Sequence, residues 1–220
     1  TRFGYARWPS HCEQVVRSMA TQKVEMWFDT LCPWAWMTSR WLVEVEKVRD
    51  ISITWNPMSL YYLNKDRASI TTEYLDYAKK ALAPLRVVVA AEALYGEKIK
   101  GDLYTAFGNE IHLNKTKISD EMVAKVLANF TFSEDLMKYA QDESLDAKII
   151  ESHERGISKV GEDVGTPIIS VGEVAFFGPV ISPAPKGEEA GKLFDGVVGV
   201  ASYPGFFEIK RTRNVKPIFD

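Results

Sequence analysis

The sequence predicts an α/β fold in which a block of helices interrupts a small sheet-containing unit. Three observations predict it. Residues 23–58 read strand, helix, strand; residues from about 66 to 163 carry helical periodicity with no strand signal; and residues 168–202 read strand, strand, helix. With the helical block set aside, a four-stranded α/β unit remains.

Lys23 to Asp29, KVEMWFD, has the alternation and the β-branched and aromatic content of a short strand. Pro33 then suits a first helical turn, where its missing N–H is no loss. From there Trp34, Met37, Trp41, Val45 and Val48 define one apolar helical face, and Arg40, Glu44 and Lys47 lie off it. Ile51 to Met58 alternates again, with Pro57 marking the strand's end or a sheet edge. Two strands joined through a helix imply a parallel pair with a right-handed crossover.

In the helical block, Pro84 opens a helix that Gly96 closes. Ser119 with Asp120 and Glu121 opens another, and Ser133 with Glu134 and Asp135 a third. Ile168 to Val171 and Val174 to Phe177 are apolar runs separated by Gly172-Glu173, compatible with a type II′ hairpin turn. Glu188 to Ser202 fits a final helix with acids in its first turn, and the tail from Pro204 reads as irregular. There is no internal repeat or low-complexity segment. Residues 1–18 differ in character from the rest and read as an N-terminal extension or the remnant of an added segment. The expected organisation is a core of residues 19–65 and 164–220, with residues 66–163 as an inserted helical domain and connecting helix.

Composition narrows the function. At 220 residues and a formal charge of -3, with 46% hydrophobic residues, the chain shows neither disorder nor a nucleic-acid-binding footprint. No window approaches the roughly 18 apolar residues of a membrane span. The first residues lack the apolar region of a secretory signal, so a cytoplasmic address is expected. Two cysteines do not make a disulfide framework. In a reducing compartment, a lone cysteine in a special context reads as redox-active or catalytic.

That context is DTLCPWAW, residues 29–36. A cysteine at a helix N-terminus lies where unpaired backbone N–H groups and the helix dipole favour its thiolate, the nucleophilic form. Cys32 is therefore the expected nucleophile, with Trp34 an aromatic surface at the entrance. The plainer alternative is a small buried hydrophobe. A dithiol enzyme would carry a second cysteine at position 35, one turn further in, to attack a mixed disulfide on Cys32. Ala35 cannot do so, which leaves a one-cysteine cycle completed by an external thiol, or a trapped adduct. Thr166-Pro167, before a strand and after the helical block, is where an X-Pro bond in the cis form would present backbone to the thiol; an ordinary strand-start proline is the alternative.

WFDTLCPWAWMTSRWLVEVEKVRD, MSLYYLN, VGEDVGTPIISVGEVAFFGPV, GEEAGKL and ASYPGFFEIKRTR together resemble the actinobacterial DsbA-like thioredoxin-fold proteins, mycothiol-dependent reductases also described as mycoredoxin-like or as nitroreductases. The resemblance runs from about Lys23 to the C-terminus. It implies a thioredoxin fold of the DsbA-like kind with an inserted helical domain, Cys32 as nucleophile, Pro167 as the cis-proline facing it, mycothiol as reductant and co-substrate, and a cytoplasmic setting. The chain departs from the family at position 35, where the family's Cys-Pro-Trp-Cys has its resolving cysteine. Ala35 marks either an engineered trap or a natural monothiol variant.

Further residues carry weaker expectations. Asn64 and Tyr74 follow the second strand, where the helical block would cover the cleft above Cys32. They are substrate-binding candidates with Trp34 and Thr166, although core packing is the plainer reading of Tyr74. His153 is a further candidate, since its helix leads towards the Pro167 loop, while His112 is expected to face solvent or satisfy its own helix. Neither histidine has a second ligand at metal spacing, so no metal is expected, and no tightly bound organic cofactor. Glu162 and Asp163 read as turn residues rather than acid–base catalysts, and GEEAGK as a helix start rather than a phosphate loop. The residues from Glu13 to Lys23 span up to roughly 36 Å, so a Cys12–Cys32 disulfide is sterically open beside a free Cys12. The partners expected are a low-molecular-weight thiol and a small-molecule or protein disulfide, with neither nucleic acid nor membrane, and a homodimer is compatible with the sequence. Two other functions share these features: a kappa-class-like thiol S-transferase, and a non-enzymatic peptide-binding or chaperone module.

Overall fold

The computed structural model describes residues 21–132 and 134–219. The expected extension at residues 1–18, with Cys12 and its pairing to Cys32, lies outside the described residues, as does Ser133.

The sheet is built as the alternating runs dictate. Strand β1 (Gln22–Phe28) is flanked by β2 (Ile51–Pro57) and β3 (Ile168–Val171), and β4 (Val174–Phe177) completes the order β2-β1-β3-β4. β1 and β2 are parallel, from Gln22 opposite Ile51 to Phe28 opposite Pro57, while β3 runs antiparallel to both β1 and β4. Because β1 is central, its two faces are both covered, and Val24, Met26, Trp27 and Phe28 are all fully buried. Pro57 is the last residue of an edge strand, where its missing N–H costs no ladder bond. Gly172 opens the β3–β4 turn at φ 60° and Glu173 stays at negative φ, as a type II′ turn requires.

Helix α1 (Pro33–Glu46) follows β1 with Cys32 as its N-cap, and helix α8 (Gly187–Ala201) packs against it, the Trp41 indole donating to the Ala190 carbonyl at 3.0 Å. Between β2 and β3 lie α2 (Leu60–Asn64), α3 (Thr72–Lys80), α4 (Leu82–Tyr95), α5 (Ile99–Gly108), α6 (Asp120–Leu127) and α7 (Asp146–Val160). Helix α4 is buried almost all round and forms the centre of this block. The Arg86 guanidinium grips both oxygens of Asp146 at 2.6 and 2.7 Å, and the Tyr62 hydroxyl donates to the same carboxylate at 2.8 Å, so one ionic cluster joins α2, α4 and α7. None of these helices is long and apolar enough to cross a membrane among the described residues.

Pro84 sits in the first turn of α4, Gly96 ends it at φ 86°, and the Ser119 hydroxyl caps α6 by accepting from the Met122 N–H. Among the described residues from Glu134 onward the expected helix is absent, and 3₁₀ turns at Met137–Tyr139 and Glu143–Leu145 precede α7. Two contacts fasten the chain to α4 there. The Glu134 N–H is spent on the Tyr95 hydroxyl at 2.9 Å, and Phe130 and Phe132 stack beside the Tyr95 ring. After α5 the chain widens into a π-helical turn, Asn109–Leu113, which the sequence periodicity did not foretell.

Glycines set how closely the layers approach. A Cβ at Gly108 would lie 2.1 Å from a ring carbon of Trp36, and one at Gly156 would lie 2.7 Å from the Trp27 ring. Gly156→Ala is expected to destabilise the fold by about 1–3 kcal/mol through overpacking, visible as a lowered Tm. By contrast Gly199→Ala, where a Cβ meets nothing within 4 Å, is expected to leave Tm unchanged or raise it slightly.

Candidate active site

The site grows out of the end of β1. Asp29 follows the strand, and its fully buried carboxylate accepts two backbone N–H groups, Leu31 at 2.8 Å and Leu60 at 2.7 Å. Its own carbonyl accepts the Cys32 N–H at 3.0 Å. The turn so formed delivers Cys32 to the N-terminus of α1 in extended conformation, φ -79° and ψ 111°.

Cys32 Sγ is held from two sides. It accepts the Ala35 N–H at 3.4 Å and donates to the Thr166 carbonyl at 3.4 Å. The Thr166-Pro167 bond is cis, and the Thr166 hydroxyl donates to the Trp27 carbonyl at 2.7 Å, which ties this loop to β1. Residues 134 positions apart in sequence thus meet at one sulfur. Ala35 and Pro167 are buried beside it and Trp34 is half-buried at the rim.

The electrostatics differ from the expectation of a dipole-stabilised thiolate. Cys32 is only 6% exposed, and burial pushes its thiol up to about 11. The Ala35 and Trp34 N–H groups pull the other way, and the charge on Asp29 adds to the rise. In a pocket this dry, loss of hydration outweighs what one helix terminus offers. Burial likewise holds the Asp29 carboxyl up at about 7, against its two N–H donors.

The other expected site residues divide. The phenol of Tyr74, on α3, is raised first by burial and then by Asp29 and Cys32, so α3 brings it within electrostatic reach of the thiol, and it belongs to neither apolar cluster. Asn64 is buried, with its amide spent on the Leu60 carbonyl at 2.8 Å. His153 is buried with Nδ1 accepting the Ser59 N–H at 3.4 Å, so its partner is the start of α2 and not Cys32. His112, expected to face solvent or satisfy its own helix, is the imidazole that reaches the turn before Cys32. Its Nε2 lies 2.9 Å from the Thr30 carbonyl, which makes it the donor and fixes the tautomer, and its ring stacks on Trp36. Burial lowers its pKa to about 4, so the ring is neutral at pH 7. Among the described residues no cluster of three or more His, Cys, Asp or Glu is placed to hold a metal.

Residues 31–211 match the family described as Rv2466c-like, mycothiol-dependent nitroreductase Rv2466c. The chain belongs to that family. The Rv2466c-like match makes it an oxidoreductase, and it begins one residue before Cys32 and extends beyond α8. Rv2286c of Mycobacterium tuberculosis, an uncharacterized protein, is 26% identical over 193 residues, 87% of this chain and 82% of that protein. In three dimensions the chain is similar to the cytosolic disulfide reductase DsbM of Pseudomonas aeruginosa with GSH, at 15% identity, covering 80% of this chain and 99% of that one with a TM-score of 0.55. It is also similar to a probable DsbA oxidoreductase, SCO1869, of Streptomyces coelicolor, at 14% identity, 88% and 94% coverage and a TM-score of 0.52. The fold of this Rv2466c-like chain is therefore the DsbA-like thioredoxin fold with a helical insertion.

Asp29 and His112 escaped the sequence reading. Asp29 had a signal, a single carboxylate in the apolar run MWFDTLCPWAW, whereas His112 depends on the π-helical turn, which leaves no mark in the sequence.

Two outcomes follow from these titrations. Alkylation of Cys32 by iodoacetamide, read by mass on its peptide, is expected to rise about tenfold per pH unit from pH 7 to pH 10, and Asp29→Asn to move that profile towards lower pH; an unmoved profile would remove Asp29 from the thiol's environment. The folded chain keeps the Asp29 proton up to about pH 7, whereas the unfolded chain releases it near about pH 4. Stability from this group is complete below about pH 4 and falls as pH climbs towards 7. Asp29→Asn should flatten that slope in chemical denaturation, while costing about 1–3 kcal/mol for the N–H group that loses its acceptor.

Proposed function

We propose that the chain is a cytoplasmic thiol–disulfide oxidoreductase of monothiol type, with Cys32 as nucleophile and mycothiol as reductant. The observation that carries this reading is the sulfur held between the Ala35 N–H and the Thr166 carbonyl, beside the cis Thr166-Pro167 bond. An incoming disulfide that lies along the Thr166-Pro167 backbone would have one sulfur in line with Cys32. The Cys32 thiolate attacks that sulfur, a Cys32–S–S–R bond forms, and the other half leaves as R′–S⁻. The Ala35 N–H stays in place to stabilise the departing Cys32 thiolate in the second step. There a mycothiol thiolate attacks the R sulfur, forming R–S–S–mycothiol and returning Cys32.

Position 35 decides who performs that second step. Its methyl side chain carries no nucleophile, so the mixed disulfide waits for a thiol from solution. Trp34 at the rim and Tyr74 across the cleft would flank the bound substrate. Asn64 and His153 act through the start of α2, as positioning residues. The family's mycothiol dependence supports the choice of thiol. The GSH-bound DsbM structure supports a low-molecular-weight thiol more generally.

The test is incubation with mycothiol disulfide, followed by mass spectrometry. One mycothiol adduct per chain is expected on Cys32, persisting until free thiol is added and absent in Cys32→Ser. Ala35→Cys is expected to release the adduct unaided and to raise mycothiol-coupled turnover by on the order of tenfold or more, because the resolving thiol becomes intramolecular. Absence of any Cys32 adduct, with disulfide reduction unchanged in Cys32→Ser, would overturn the reading. A thioether product instead would move the chain to the thiol S-transferase reading.

A further inference from the structure

The segment after α8, residues 203–219, has no helix or strand and is largely exposed, with Phe207 at 91% and Ile209 at 72% exposure. An apolar and basic tail of this kind has little reason to follow a fixed course. Yet its second half is fastened at three points, and each leads back to the turn or helix that carries Cys32. The Arg213 guanidinium lies over the Trp34 ring at 5.4 Å, two residues beyond the nucleophile. The Ser182 hydroxyl donates to the Lys216 carbonyl at 3.2 Å and accepts the Ile218 N–H at 2.8 Å. Ser182 belongs to the loop after β4, and earlier in that loop the Pro179 carbonyl accepts from Thr38 of α1 at 2.7 Å. Finally, the Phe219 ring lies 5.6 Å from the His112 ring, whose Nε2–H is bonded to the Thr30 carbonyl.

We propose that residues 203–219 form a strap that gates Cys32 by size: closed, it admits small thiols and disulfides, and it must lift from Trp34 before a protein disulfide can reach the sulfur. The proposal rests on Cys32 being the reacting group. Its placement explains why Trp34, the aromatic face that would receive a substrate, carries a cation from the chain's own tail. The fastening at Trp34 suits a device that opens, since it is one contact from an exposed arginine and a cation–π contact at an exposed site is weak, while the Ser182 and His112 contacts hold the end of the strap.

The test compares two labels on the peptide carrying Cys32, which keeps Cys12 out of the measurement: iodoacetamide as the small reagent, and a maleimide on a polyethylene glycol chain as the bulky one. In the full chain, Arg213→Ala is expected to raise the bulky-to-small rate ratio by roughly two- to fivefold, the factor that loss of one exposed cation–π contact implies. A chain ending at Ser202 should raise it further. An unchanged ratio in Arg213→Ala overturns the gate whether or not the shortened chain folds. A uniform acceleration of both labels in Arg213→Ala also overturns it, since that reports general loosening. Labelling needs no turnover, so these outcomes are separate from the exchange chemistry, whose failure would show as no mycothiol adduct in any chain.

Discussion

The arrangement around Cys32 depends on one buried carboxylate with two backbone donors. Asp29 Oδ1 takes the Leu31 N–H and Oδ2 the Leu60 N–H, so the turn leaving β1 and the turn leaving β2 are fastened to the same group. The first turn ends in Cys32 and the second begins the helical block, which fixes the block relative to the nucleophile. The Thr166 hydroxyl, bonded to the Trp27 carbonyl, makes the equivalent attachment for the loop that enters β3. Three separate chain segments are thus indexed to the buried C-terminal end of one central strand. A strand buried on both faces is the most rigid element available for the purpose.

That rigidity sets the chemistry of the thiol. A helix N-terminus lowers a cysteine's pKa only while the sulfur remains near water, and here the packing that positions Sγ within 3.4 Å of two backbone groups also removes its hydration. Burial prevails, and a resting thiol at about 11 is the result. The site accordingly holds the sulfur in a defined place, and the thiol keeps its proton while it stays buried.

Much of the fold was legible because its signals are local. Alternation marked β1 and β2, the cap residues Ser119 and Gly96 fell where α6 begins and α4 ends, and Gly172 occupied the one positive-φ position of the hairpin. Thr166-Pro167 and Cys-Pro at residues 32 and 33 flagged the two halves of the site. What escaped depends on long-range packing. The π-helical turn at Asn109–Leu113 carries His112 to Thr30, 82 positions away in sequence. Where Ser133-Glu134-Asp135 looked like a helix start, the Glu134 N–H meets the Tyr95 hydroxyl instead, a long-range contact that the local sequence does not announce. The placement of Arg213 on Trp34 has no sequence signature at all, since nothing in an irregular basic tail specifies which aromatic ring it meets.

The bond from position 35 to the sulfur is made by the main chain. Its N–H, not its side chain, meets Cys32 Sγ, so the group that steadies the sulfur is indifferent to which side chain stands there. Alanine and cysteine differ at that site by a single sulfur atom, on a helix already anchored by Pro33, Trp36 and Trp41. In the exchange we propose, recognition of sulfur belongs to the backbone at position 35 and resolution would belong to the side chain there. On that reading the second could be gained or lost while the first stays intact, and passage between one-thiol and two-thiol enzymes would be a short evolutionary step in this fold.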